Sequence, residues 1–253
     1  MNATVVSHEE WLAARKQFLK KEKQFSKLRD ELAEERRSLP WERVEKTYVF
    51  DGPHGKETLS ELFEGRSQLI IYHFMFAPGW EEGCPGCSFI GDHLDGAITH
   101  VNQRDITLVA VSRAPRVRFE PFRKRMGWKF KWLSSAGTDF NFDYRVSFTK
   151  EQIAKGKLDY NYGSDTPPHE EHPGASVFYQ DDRGHMFHTY STYARGLDQL
   201  LGAYNWIDLT PKGRNEEALS FPMAWVRHHD RYGQAASRPW EEIAKAAECG
   251  CEN

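Results

Sequence analysis

The residues best suited to chemistry are the cysteines. The chain has four, and they fall as two close pairs, Cys84 with Cys87 and Cys249 with Cys251. In a reducing compartment, paired cysteines signal redox chemistry or metal binding more often than structural disulfides. Cys84-Pro85-Gly86-Cys87 is the stronger pair because of its surroundings. It follows an almost continuously apolar run over 67–76, bounded by Gly65 and by Pro78-Gly79. It precedes Phe89, Ile90, Leu94, Ala97, Ile98 and Val101, which recur at helical spacing. A cysteine at such a strand-to-helix junction meets free backbone N–H groups and the positive end of the helix dipole, and both favour its thiolate. Cys87 falls on the same helical face, within reach of a mixed disulfide formed on Cys84. Proline at the helix start gives up an N–H that would have no partner there. The arrangement predicts a thiol–disulfide oxidoreductase with Cys84 as nucleophile and Cys87 as resolving thiol. Glu81 and Glu82 oppose a strongly depressed thiol pKa, which predicts a reducing pair rather than a strong oxidant.

Other readings of these residues stay open. The pair is either ordinary packing, or half of a zinc site that Cys249 and Cys251 or His228-His229 would complete to four ligands, making the chain a redox-inert binding module. Cys249-Gly250-Cys251 makes a strained disulfide. It reads either as a frayed end or as a shuttle between Cys84–Cys87 and an outside reductant. His169-Glu170-Glu171-His172 lacks the i, i+4 histidines of a zinc helix, and no cofactor or metal is expected elsewhere. From Arg113 to Lys131 eight Lys or Arg alternate with Phe119, Phe122, Trp128, Phe130 and Trp132. That is either a nucleic-acid patch or, as expected here, an amphipathic helix with a solvated basic face.

The elements that must position the cysteines follow from the apolar pattern. Ser7-His8-Glu9-Glu10 is a capping box. It opens a helix whose Trp11, Phe18, Phe25, Leu28 and Leu32 form a narrow stripe until Pro40. Strands are expected over 44–50, 67–76, 106–111 and 129–134, with a hairpin over 176–180 and 185–190 around Asp181-Asp182-Arg183-Gly184. Helices are expected over 58–63, from Pro85 to about His100, over 117–126 with a kink at Pro121, near 196–205, and over 239–247. Residues 135–172 read as an irregular insertion. The organisation is therefore an N-terminal helical arm (1–43), a main domain (44–206) and a C-terminal extension (207–253). The order β–α–β–α–β–β–α around a cysteine pair resembles the thioredoxin-like fold, an α/β architecture with a central mixed sheet flanked by helices. In that fold a cis-proline stands beside the active cysteine, and Pro173, ahead of the 176–180 strand, holds the corresponding place. It would leave a backbone edge free for a substrate peptide.

Specific segments carry a closer resemblance. Residues 57–63, 68–76, 84–89, 111–115 and 126–128 resemble a bacterial thioredoxin-like family described as a domain of unknown function. So do Ser176-Val177-Phe178 and the run from Phe187-His188-Thr189-Tyr190 to Arg195-Gly196. That family is similar to the alkyl hydroperoxide reductase and thiol-specific antioxidant proteins, which implies a redox theme and makes a peroxiredoxin-like peroxide reductase the alternative activity of Cys84. The peroxiredoxin pattern places a Thr or Ser three positions before its cysteine. Here Glu81 and Glu82 stand in that region, and Arg113 is the available cation.

With 34 Lys+Arg against 37 Asp+Glu in 253 residues, the net charge of -3 counts against a general nucleic-acid binder. The 8 Trp, 10 Tyr and 16 Phe demand a folded core. No uninterrupted apolar window of about 18 residues exists, and no signal-peptide pattern opens the chain, so a cytoplasmic protein is expected. The expected partners are a protein or small-molecule disulfide, or a peroxide, with an external thiol reductant. Neither membrane nor nucleic acid is expected as a partner. The N-terminal stripe would pair with the main domain or with a second copy in a homo-oligomer.

Overall fold

The computed structural model describes residues 3–156, 158–163 and 169–233. Cys249, Cys251 and the helix expected over 239–247 lie outside the described residues. The described residues form two compact units, one ending at Trp41 and the other beginning at Glu42. The first contains helix α1 (His8–Arg37), opened by the expected capping box. The Ser7 backbone N–H donates to the Glu10 carboxylate at 3.0 Å, and the Glu10 N–H to Ser7 Oγ at 3.3 Å. Glu9 and Glu10 in the first turn and Arg36 and Arg37 in the last complement its dipole.

The second unit is built on one sheet. Its strands are β1 (Glu42–Arg43), β2 (Val49–Gly52), β3 (Gly55–Thr58), β4 (Gln68–His73), β5 (Ile106–Ser112), β6 (Trp132–Ser134), β7 (Gly174–Gln180) and β8 (Met186–Tyr193). They lie in the order β1-β8-β7-β4-β5-β6-β2-β3. β4 and β5 are parallel, joined through helix α2 (Pro85–Val101), whereas β7 runs antiparallel to both β4 and β8. This is the thioredoxin-like arrangement, α/β with a mixed sheet, extended at both edges. Helix α3 (Arg116–Arg125) links β5 towards β6 and carries Pro121 inside it. Two short helices, α4 (Phe140–Asp143) and α5 (Lys150–Ala154), punctuate the insertion, and α6 (Gly202–Ile207) follows β8.

Several boundaries differ from expectation for local reasons. The first hairpin starts at Val49 rather than 44, and Thr58 ends β3 instead of opening a helix. The Thr58 N–H donates to the Glu61 carboxylate at 2.6 Å, confining the helical part to a single 3-10 turn, Glu61–Phe63. β6 begins only at Trp132, because the N–H groups of Lys129 and Phe130 donate to the Asp95 carboxylate at 2.9 and 2.8 Å rather than to a strand. The helix expected near 196–205 is split. A 3-10 segment, Ala194–Leu200, gives way to α6 where Leu201 leaves helical geometry at ψ 88°, and Leu197, Leu201 and Tyr204 are all buried.

Alternation along the central strands separates two cores. Leu69 and Ile71 pack with Val109, Val111 and Leu133 on one face. Tyr72 and Ala110 join Phe74, Phe76 and Ile90 on the other. Both faces are covered, which explains the continuous apolar reading of β4. Phe119, Phe122, Trp128, Phe130 and Trp132 are buried in the second core, while Arg113, Arg116, Arg123 and Lys131 of the basic stretch are part-buried and, like Arg125, each paired with an acidic side chain. No helix among the described residues is long and apolar enough to cross a membrane.

His73 is buried at the end of β4 within a polar chain crossing three strands. Its Nε2 meets Ser176 Oγ at 2.8 Å, Ser176 meets Ser191 at 2.8 Å, and Ser191 meets His188 Nε2 at 2.7 Å. Burial pulls the His73 pKa down from 6.5 to about 3. The imidazole therefore stays neutral in the native state, while its unfolded counterpart gains a proton as pH falls below 6.5. The stabilisation is present above pH 6.5 and is lost as pH falls towards 3. Equilibrium unfolding between pH 6 and 4 should show His73→Gln with a shallower loss, by about 1.4 kcal/mol per pH unit. Parallel pH profiles for the two proteins would remove His73 from the acid sensitivity.

Candidate active site

Cys84 occupies the N-cap of α2, with Pro85 opening the first turn. Its N–H donates to Met75 O at 3.3 Å, and its carbonyl accepts from the backbone and hydroxyl of Ser88 at 2.8 and 2.9 Å. Cys87, one turn on, is 2% exposed and accepts the Met75 N–H at 3.4 Å. Both are free thiols. The Cys87 thiol donates to the Cys84 sulfur, and with the N–H groups of Cys87 and Gly86 this outweighs burial and lowers the Cys84 pKa. Cys87 moves the other way, pushed well up by burial and then by its hydrogen bond to Cys84. Two chemically identical side chains are thus pushed in opposite directions, Cys84 towards its thiolate and Cys87 towards its thiol.

The carboxylate expected to oppose this does not. Glu82 is paired with Arg125 from the last turn of α3 and with Arg231. Burial raises its pKa, but the two guanidiniums more than compensate, so it is a neutralised anion. Glu81 is exposed to solvent. His228 completes the cluster, accepting from Arg125 through Nδ1 and donating through Nε2 to Gly83 O, each at 2.8 Å. With both nitrogens engaged, His228 is not a spare zinc ligand, and His229 contacts Asp92 at 2.7 Å. Among the described residues no group of three or more His, Cys, Asp or Glu could hold a metal ion.

Above the thiols lies a cavity of about 470 Å³. Cys84, Cys87 and Pro173 all line it, so the three residues singled out in the sequence share one space. The bonds joining the described residues are all trans, Pro173 included. The edge beside Pro173 is also closed, contrary to expectation. The His172 N–H donates to Val146 O at 2.8 Å, Ser147 bridges Glu171, and Tyr160 OH donates to Pro173 O at 2.8 Å. The insertion has taken the position a substrate strand would need. Arg113 likewise does not line the cavity. It binds Glu171 at 2.5 Å, where burial, stronger than the guanidinium, pushes that carboxyl up to about 7.

The residues missed by sequence reasoning are those of the C-terminal extension. Phe221, Met223, Val226 and His228 form a wall of the cavity. Glu216 Oε1 organises them by accepting from Tyr204 OH at 2.8 Å, the Met223 N–H at 3.0 Å and Trp225 Nε1 at 2.6 Å. Met223 stands over the motif, since a Cβ on Gly86 would lie 3.4 Å from its methyl and 3.7 Å from Cys84 Sγ. The available signal was the continuous run Phe221-Pro222-Met223-Ala224-Trp225-Val226, too apolar for a solvated extension.

Because the Cys87 thiol is the largest contributor lowering the Cys84 pKa, Cys87→Ala should move it up. Iodoacetamide alkylation of Cys84, followed by mass spectrometry across pH, should show a higher midpoint in the variant. An unchanged midpoint would assign the shift to the helix N-terminus alone.

No curated protein matches this chain. Among solved structures it is similar to peroxidoxin BcpB from Mycobacterium tuberculosis, at 14% identity and TM-score 0.44, covering 67% of this chain and 97% of that one. A mutant of Xanthomonas campestris peroxiredoxin Q is similar at 15% identity and TM-score 0.44, covering 66% and 98%. A mutant of Xylella fastidiosa PrxQ aligns at 12% identity and TM-score 0.39, covering 63% and 88%. Residues 1–232 match the family described as "Bacterial protein of unknown function (DUF899)", and the chain belongs to that family.

Proposed function

We propose that this protein is a thiol–disulfide oxidoreductase acting on a small disulfide from the cytoplasm. The observation that supports this reading is the placement of Cys84 at the N-cap of α2, facing the cavity, with Cys87 buried behind it and donating to its sulfur. The Cys84 thiolate attacks one sulfur of a disulfide R–S–S–R, forming Cys84–S–S–R and releasing RS⁻, which takes up a proton. Cys87 then attacks the Cys84 sulfur, and the second RSH departs. The dithiol has lost two electrons and the substrate has gained them. An external dithiol reductant restores Cys84 and Cys87. Pro173 is the substrate-positioning residue in this scheme, acting as a wall of the cavity. A cavity of about 470 Å³ and an occupied edge at His172 favour a small molecule over an extended peptide.

Peroxide reduction by the same thiols is the competing outcome. It would take Cys84 through a sulfenic acid that Cys87 condenses with, releasing water. Arg113 is held by Glu171 away from the cavity lining, and no hydroxyl stands three positions before Cys84.

Turnover should be measured with a small aromatic disulfide and with an organic hydroperoxide in parallel, for wild type, Cys84→Ser and Cys87→Ser. Wild type should reduce the disulfide repeatedly and Cys84→Ser should be at least about 100-fold slower. Cys87→Ser should stop after one turnover as a mixed disulfide visible by mass. Equal rates in wild type and Cys84→Ser would overturn the reading, and turnover of the peroxide alone would replace it with a peroxidase.

A further inference from the structure

Resolution poses a problem for Cys87. It must attack as a thiolate, yet it is 2% exposed and burial pushes its pKa well up. The developing charge needs hydrogen-bond donors. The Met75 N–H is one, at 3.4 Å. The other side chain that lowers the Cys87 pKa is Tyr72, through its hydroxyl.

Tyr72 sits next to the end of β4, 1% exposed, and lines the cavity with the two cysteines. Its ring packs edge-on against Phe74 at 6.0 Å. Its hydroxyl is buried without a hydrogen-bond partner, although buried tyrosine hydroxyls usually have one. Phenylalanine would fill the same space without leaving a polar atom unsatisfied. In the resting state the Cys87 proton is directed at Cys84 and the neighbouring hydroxyl has nothing charged to bind. When the Cys87 sulfur turns negative, the same hydroxyl gains an acceptor. An interaction too weak to satisfy the hydroxyl in the ground state that strengthens as charge develops acts on the rate.

We propose that Tyr72 is a catalytic residue of the resolution step, donating a hydrogen bond to the Cys87 sulfur as it attacks Cys84. This rests on the dithiol reading above. The Cys87 S–H bond breaks, the Cys84–Cys87 bond forms, the bond from Cys84 to the substrate sulfur breaks, and the proton leaves on RSH. Tyr72 keeps its own proton throughout, since burial and the adjacent Cys87 hold the phenol well above its usual pKa. The titratable groups acting on Tyr72 and Cys87 are each other, Cys84 and Tyr160. The charged groups on the cavity wall are Asp198, Arg227 and Arg231, with His228 beside them.

The test is Tyr72→Phe in the full chain, mixed rapidly with a small aromatic disulfide and quenched with acid, with the mixed disulfide followed by mass. Resolution should slow by about 10- to 100-fold, the range for one hydrogen bond to a charged group. Its pH midpoint should move up and the mixed disulfide should accumulate, with no drop in thermal midpoint, because the lost hydroxyl had no partner. Resolution within twofold of wild type at every pH would overturn the role of Tyr72. So would slower resolution with an unmoved pH profile, which would mark a packing effect. Cys87→Ala, run alongside, must trap the mixed disulfide completely. Failure there would overturn the dithiol reading itself, whatever Tyr72 does.

Discussion

The hydrogen bond from the Cys87 thiol to the Cys84 sulfur organises the site, and it exists only because α2 begins at Pro85. Starting the helix there requires the connection from β4 to α2 to be held firmly. The N–H of Phe74 donates to Val111 O, that of Ala114 to Phe76 O and that of Cys84 to Met75 O, which ties the loop to the ends of β4 and β5. Gly83 permits the final approach. A Cβ there would lie 2.6 Å from the Phe74 ring and 2.8 Å from the Phe122 ring, so a larger residue would push Cys84 away from the helix start. The N–H groups of Gly86 and Cys87 and the neighbouring thiol then act on the Cys84 sulfur, whereas the Cys87 sulfur accepts the Met75 N–H.

Charge neutralisation supports the same arrangement from outside. Glu82, Arg125, Arg231 and His228 draw together the loop before Cys84, the end of α3 and the C-terminal segment. Each ion pair, partly exposed, is individually modest. Together they remove a negative charge from beside Cys84 and fasten the segment that walls the cavity. Glu216 fixes the other end of that segment through three donors. The extension is therefore a structural part of the cavity.

The insertion has the complementary effect on the opposite side. By pairing at His172 and hydrogen-bonding Pro173 through Tyr160, it satisfies backbone groups that an incoming strand would otherwise bind. Main-chain pairing at that edge is thereby closed off, and the cavity beside it is lined by the apolar side chains Ile90, Leu197, Leu201 and Met223.

The sequence alone determined what depends on local pattern. The Ser7–Glu10 cap, the buried β4, the start of α2 and the cysteine pair at that junction are written in contiguous residues, because capping, periodicity and turn chemistry act over a few positions. Only the tertiary structure decided the charge state around Cys84, the closure of the Pro173 edge and the identity of the cavity wall. Those rest on partners such as Glu82 with Arg231, Val146 with His172 and Cys84 with Met223. Tyr72 read simply as one more residue of an apolar strand. Its significance lies in a hydroxyl left unsatisfied beside Cys87, and hydrogen bonding between distant segments has no signature in the spacing of either one.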